Sequence, residues 1–168
     1  MAQEDEAMLC FDSRPVYTLW RQTCRHGDLF IVQSEGGELT ASTMAGGSAY
    51  LLNAMSTSSS FVTMYDLTSG LTGFVQCAPA LLELATKLRS SASSKQKAVL
   101  IISSSEAVRS WTRWFVRIIP REGVSAHILT TVEEAWQLLE QENFLDQPEA
   151  VAQEGEELQE WVDLMSST

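Results

Sequence analysis

The sequence predicts one α/β domain, and three observations point there. The runs SFVTMYDL (residues 60–67) and KAVLIISSS (97–105) are β-branched, aromatic or apolar on both faces, as in strands covered on two sides. Each run is followed by a polar turn and then by a segment of helical period. The chain of 168 residues, 45% hydrophobic and 20% charged, is long enough for a core without staples and ordinary for a soluble domain.

Taken in order, residues 1–13 open with the acidic MAQEDEAM and read as a disordered N-terminus, without the basic-then-apolar order of a secretory signal. PVYTLWRQTC and GDLFIVQSEG read as two strands, joined by a turn at RHGD around Gly27. In ELTASTMAGGSAYLLNAM the residues Ala49, Leu51, Leu52 and Met55 have helical spacing, and Gly46 and Gly47 put the helix start after them. STSSS is a polar break before the strand at 60–67. VQCAPALLELATKLRS reads as a helix with Leu81, Leu84, Ala85 and Leu88 on one face and Pro79 near its start. SSASSK is a loop. After the strand at 97–105, Ser103 and Glu106 have capping-box spacing, opening a helix that runs to about Ile119 and stops at Pro120. VSAHILTT is a further strand, and Thr131 with Glu134 caps a helix over VEEAWQLLEQ. The domain therefore covers 14–142. Residues 143–168 form an acidic tail in which Leu158, Trp161, Val162 and Met165 fall at i, i+3, i+4 and i+7, a short amphipathic helix.

Charge separates the tail from the body. Of the 22 acids eleven lie from Glu133 onward, with no base among them, and the other eleven are balanced by eleven bases in residues 1–132. A neutral body with an acidic end argues against a nucleic-acid surface, which needs clustered Lys and Arg. No apolar run reaches the roughly 18 residues of a membrane span. Cys10, Cys24 and Cys77, odd in number and outside any CxxC pair, read as reduced thiols of a cytoplasmic protein.

Two stretches could carry function. In YDLTSGLTGF, Asp66 stands at the carboxyl end of a strand, where α/β proteins place functional groups, and Thr72 or Gly73 would open the next helix. A Thr72 hydroxyl there would cap the helix, and the dipole would favour an added phosphate; equally, Asp66 and Thr72 would serve only the turn and the cap. In EAVRSWTRWFVRIIPR, Arg109, Arg113 and Arg117 form one row, with Arg121 just beyond, and Trp114 lies between this row and an apolar one of Trp111, Phe115 and Ile118. That row either holds an anionic or lipid-like ligand with Trp114, or is a solvated face whose stems shield the indole. The tail's acids complement the same row, so the helix at 158–165 could fold back onto it.

Signals for catalysis are few. His26 and His127 have no HxH, HxxxH or Cys partner, so no metal site is expected. Ser69-Gly70 is not a nucleophile elbow, and neither GxxxxGK[ST] nor GxGxxG occurs. Cys77 reads as a buried thiol. An enzyme would need Asp66, His127 and Cys77 in one pocket. No cofactor and no catalytic residue are expected.

The order of VTMYDLTSGLTGF, a helix ending LATKLRS, KAVLIISSSEAVRSW and VSAHILTTVEEAWQLL resembles the STAS domain, named for sulfate transporters and anti-sigma-factor antagonists. The likeness covers about residues 28–142 and is nearest to divergent, stand-alone STAS-like proteins of bacteria. It implies a mixed sheet with helices mainly on one face, and a regulatory role in binding a protein partner, such as a kinase or a sigma-factor regulator, rather than turnover. The contact surface would be the turn 68–74 with Asp66, Thr68, Ser69, Thr72 and Phe74, and the start of the following helix. In anti-sigma-factor antagonists a phosphorylatable Ser follows an Asp at that helix start; here Phe74 and Val75 take those places, leaving Thr72 and Ser69 as the nearest acceptors.

Overall fold

The computed structural model describes residues 7–11, 14–73, 75–92, 95–118 and 123–145. In chain order the elements are β1 (Ala7–Phe11), β2 (Arg14–Cys24), β3 (Gly27–Ser34), β4 (Gly37–Glu38), α1 (Ala41–Ser56), β5 (Phe61–Asp66), β6 (Leu71–Thr72), α2 (Ala78–Ala92), β7 (Gln96–Ile102), α3 (Glu106–Ile118), β8 (Ser125–Leu129) and α4 (Val132–Gln141). Six strands form a mixed sheet in the order β1-β2-β3-β5-β7-β8, antiparallel from β1 to β3 and parallel from β3 onward. The pair β4-β6 is a separate, two-stranded parallel sheet.

Alternation along the strands divides the core in two. Phe30 and Phe61 face α1 together with Leu19, Leu51 and Met55, and their rings meet edge to face at 5.6 Å. Leu29, Val62, Met64, Leu100 and Ile102 face the other way and pack with Ala135 and Leu139 of α4. The register between β5 and β7 shifts after Phe61↔Gln96, so that Val62 pairs with Ala98. Gln96 thereby stays on the α1 face, where its amide donates to the Thr63 hydroxyl at 3.1 Å and both residues are buried. Crossovers between parallel neighbours are right-handed, which puts α2 and α3 on the α1 face. Three helices thus lie on one face and α4 on the other, as the mixed α/β layering expected from the sequence requires.

Three boundaries differ from expectation. Residues 7–11, counted in the disordered N-terminus, form β1: the acids end at Glu6, and the backbone of AMLCF pairs with the outer edge of β2 from Ala7↔Leu19 to Phe11↔Arg14. Helix α1 begins at Ala41, not after Gly47, because Thr40 and Thr43 build a capping box. Gly47 is inside the helix for a packing reason. A Cβ there would lie 1.1 Å from the Tyr17 hydroxyl, which donates to the Thr43 carbonyl at 3.1 Å. The core also runs past residue 142: Asn143 takes a left-handed turn (φ 53°), and Phe144 and Leu145 close over the α4 side. Residues 146–168, with the helix expected at 158–165, lie outside the described residues, as do Phe74 and Arg121.

At the end of the sheet where β3 begins, a polar network ties the hairpin to the loop after α1. Asp28, 7% exposed, accepts from Arg21 Nη2 (2.8 Å), Thr23 Oγ1 (3.1 Å) and the Ser58 hydroxyl. Gly27 (φ 137°) lets the loop approach, since a Cβ there would sit 2.3 Å from the Ser60 carbonyl oxygen.

Candidate functional site

The site grows from the carboxyl end of β5, an inner strand with β3 on one side and β7 on the other. Asp66 Oδ1 accepts both the N–H (3.0 Å) and the hydroxyl (2.6 Å) of Thr68, so its carboxylate closes its own turn. The Leu67 N–H donates to the Ile102 carbonyl (2.9 Å), and Gly70 (φ 77°) reverses the chain. Thr68, Ser69 and Gly70 are left exposed.

Thr72 does not open a helix. It belongs to β6, paired with Glu38; its hydroxyl donates to the Gly37 carbonyl (3.1 Å), and its own carbonyl accepts from the Leu39 N–H (2.8 Å). The chain then runs closely under Leu39: Gly73 has φ 86°, and a Cβ on it would be 2.4 Å from the Leu39 carbonyl oxygen. Helix α2 starts only at Ala78. Cys77 is buried and donates its thiol to the Leu39 carbonyl (3.2 Å); burial, with the charge of Glu38, pushes its pKa up, so it is not an activated thiolate.

Beside this turn lies the start of α3. The expected Ser103–Glu106 capping box does not form. Ser103, buried, accepts the Ser105 N–H (3.2 Å), and Ser105 Oγ accepts from Val108 N–H (3.4 Å). The Glu106 carboxylate turns along the helix instead, to Arg109 Nη2 (2.6 Å), Arg113 Nη1 (2.9 Å) and Ser110 Oγ (3.1 Å). Hydrogen bonds from Arg113, then Arg109 and Ser110, lower its pKa to about 2. Between turn and helix is an open cleft of about 590 Å³, with Glu38, Leu67 and Thr72 on one wall and Ser104, Ser105 and Val108 on the other.

The structure therefore brings Asp66, Thr68, Ser69 and Thr72 into one braced loop. The described lining of the cleft contains none of Asp66, Cys77 or His127; His127 pairs with Leu100 inside β8, and His26 is in the β2–β3 turn. Among the described residues no three His, Cys, Asp or Glu side chains form a metal cluster. Of the arginine row, Arg109 is only 15% exposed and also donates to the Ser103 carbonyl (2.6 Å), so two of the three guanidinium groups are engaged within their own helix. Arg117 and Trp114 are exposed. The sequence reading missed Glu38 and the β4-β6 pairing, although Gly36-Gly37, both at positive φ, marked a turn there.

No family model matches the chain, and no curated protein matches it. A solved structure of a protein from Shewanella loihica PV-4, described as a DUF3478 family protein with a SpoIIAA-like fold, is similar to it. The TM-score is 0.56 over 83% of this chain and 98% of the other, at 18% identity. This chain has the SpoIIAA-like fold. That is the fold of STAS domains and anti-sigma-factor antagonists, so the resemblance read from the order of elements holds at the level of fold. No described helix is long and apolar enough to cross a membrane.

Proposed function

We propose that this protein is a non-enzymatic regulatory module that captures a protein partner with the rim formed by residues 67–73 and the adjoining start of α3. One observation carries the reading: the loop is exposed and yet held by its own hydrogen bonds. Asp66 braces Thr68, Gly37 holds Thr72, and Gly73 is fixed under Leu39, yet Thr68, Ser69, Gly70 and Thr72 face outward. A surface already fixed in shape loses little conformational entropy on binding. Val75, 68% exposed beside this polar rim, supplies an apolar anchor of the kind that partners bury.

Ser69 is the hydroxyl open to a kinase, since that of Thr72 is already bonded to Gly37. A phosphate on Ser69 would add negative charge to a rim that already carries Asp66 and Glu38, and would change which partner fits by repulsion. The test is affinity capture from the native cell with the intact chain, Ser69→Arg and Val75→Asp. A partner identified with the parent is expected to fall at least about ten-fold in both variants at unchanged melting temperature, as for a hot-spot change. Retention by both variants rejects this surface.

A further inference from the structure

Helix α3 has an outer face that no described element covers. Trp114 is 53% exposed and Ile118 44%, one turn apart, although both are large apolar groups. Beside them run Arg113, which keeps 46% of its side chain exposed despite its Glu106 contact, and Arg117, exposed near the end of the helix. An apolar floor edged by a basic row is complementary to an acidic amphipathic segment.

The chain carries one. Residues 146–168 hold seven acids and no base, and Leu158, Trp161, Val162 and Met165 fall on one helical face. The described chain ends at Leu145, buried in the cluster on the α4 side. Helices α3 and α4 both contact β8, the last strand of the sheet, so α3 is reached from the α4 side within about one layer. The thirteen residues from 145 to 158 reach up to about 45 Å when extended, against a spacing of about 10 Å between packed layers. An anionic membrane is a poorer occupant, because a net charge of −11 would be repelled by it. We infer that residues 146–168 dock as an amphipathic helix on the Trp114–Ile118 face of α3, with the tail carboxylates against Arg113 and Arg117.

The test is hydrogen–deuterium exchange of the full-length chain, read on peptides spanning 156–166. Those amides are expected to exchange at least about ten-fold more slowly than an unstructured peptide of the same sequence. Trp114→Ser and, separately, Arg117→Glu should remove that protection and lower the thermal midpoint by only the few degrees that loss of a ten-fold docking equilibrium implies, and raised salt should weaken the protection. Arg117 is exposed, so its variant stays informative if Trp114→Ser unfolds. Exchange at the unstructured rate in the parent overturns the inference. So does protection that survives both substitutions, or protection that disappears on dilution, which would assign the face to a second copy.

Discussion

Replacing Asp28 by asparagine tests the account of how the sheet is held to the loop after α1. The carboxylate has only acceptors to offer, and three side chains donate to it: Arg21 and Ser58 at Oδ2, Thr23 at Oδ1. An amide of the same shape can keep its oxygen toward Arg21 and the buried Ser58, while its N–H meets the Thr23 hydroxyl, which turns to accept. What is lost is the negative charge behind these bonds, which fall from charge-assisted to neutral strength. That costs about 1–2 kcal/mol, with the Arg21 share at the low end because its side chain is 35% exposed. With a urea slope of about 1–3 kcal/mol per M, the unfolding midpoint should fall by about 0.5–1 M. pH gives a second reading. Burial pushes the Asp28 carboxyl up, but the hydrogen bonds from Arg21 and Ser58, the Arg21 charge and the Thr23 bond outweigh it, and the pKa lies below its ordinary 3.8. The folded chain then binds fewer protons at this group than the unfolded one. The stabilisation is complete above the unfolded carboxyl's pKa and is lost as pH falls through the folded value. Below about pH 4 the parent should lose stability more steeply than Asp28→Asn. A loss under about 0.5 kcal/mol at pH 7, within the range of ordinary surface changes, or parallel pH curves, would refute the reasoning.

Two further outcomes follow from the site. Gly73→Ala combines a φ of 86° with a Cβ 2.4 Å from the Leu39 carbonyl oxygen, so it should destabilise by about 1–3 kcal/mol; a chemical-shift map should show the disturbance on β4, β6 and Cys77 rather than across the main sheet. The Glu106 carboxyl should titrate near 2 by carbon NMR and move up toward the ordinary carboxylate range in Arg113→Met, whereas an unmoved midpoint would remove Arg113 from the cause.

What the sequence made legible were the elements whose pattern is local. The strand at Phe61–Asp66 could be read from its double-sided hydrophobicity, and the cap of α4 from Thr131 and Glu134, whose capping box is present. The errors lie where a distant group decides. Gly47 looks like a helix boundary until Tyr17, thirty residues earlier, is seen occupying the space a side chain would fill. Thr72 looks like a helix cap until Gly37 and Glu38 are seen pairing with it. Ser103 and Glu106 have the spacing of a box, but Arg109 and Arg113 attract the carboxylate more strongly than a backbone N–H does. Local spacing names candidates, and tertiary competition chooses among them.

The β4-β6 pair has a consequence for how the proposed rim would work. A loop after an inner parallel strand is ordinarily free to vary, because only its ends are held. Here its far end is stitched to the connection between β3 and α1 by the Thr72 carbonyl and the Leu39 N–H, and the Cys77 thiol ties the approach to α2 to the carbonyl of the same Leu39. The turn 67–73, the segment 36–39 and the lead into α2 are thus one hydrogen-bonded unit, not three loops. A partner pressing on Gly37 or Glu38 would move Thr72 with them, and a phosphate on Ser69 would be felt across the cleft from Ser104 and Ser105 through the same unit. The proposed recognition surface would then be wider than the turn, and a change at Glu38, on the opposite strand of the pair, should alter partner capture as much as one at Thr72.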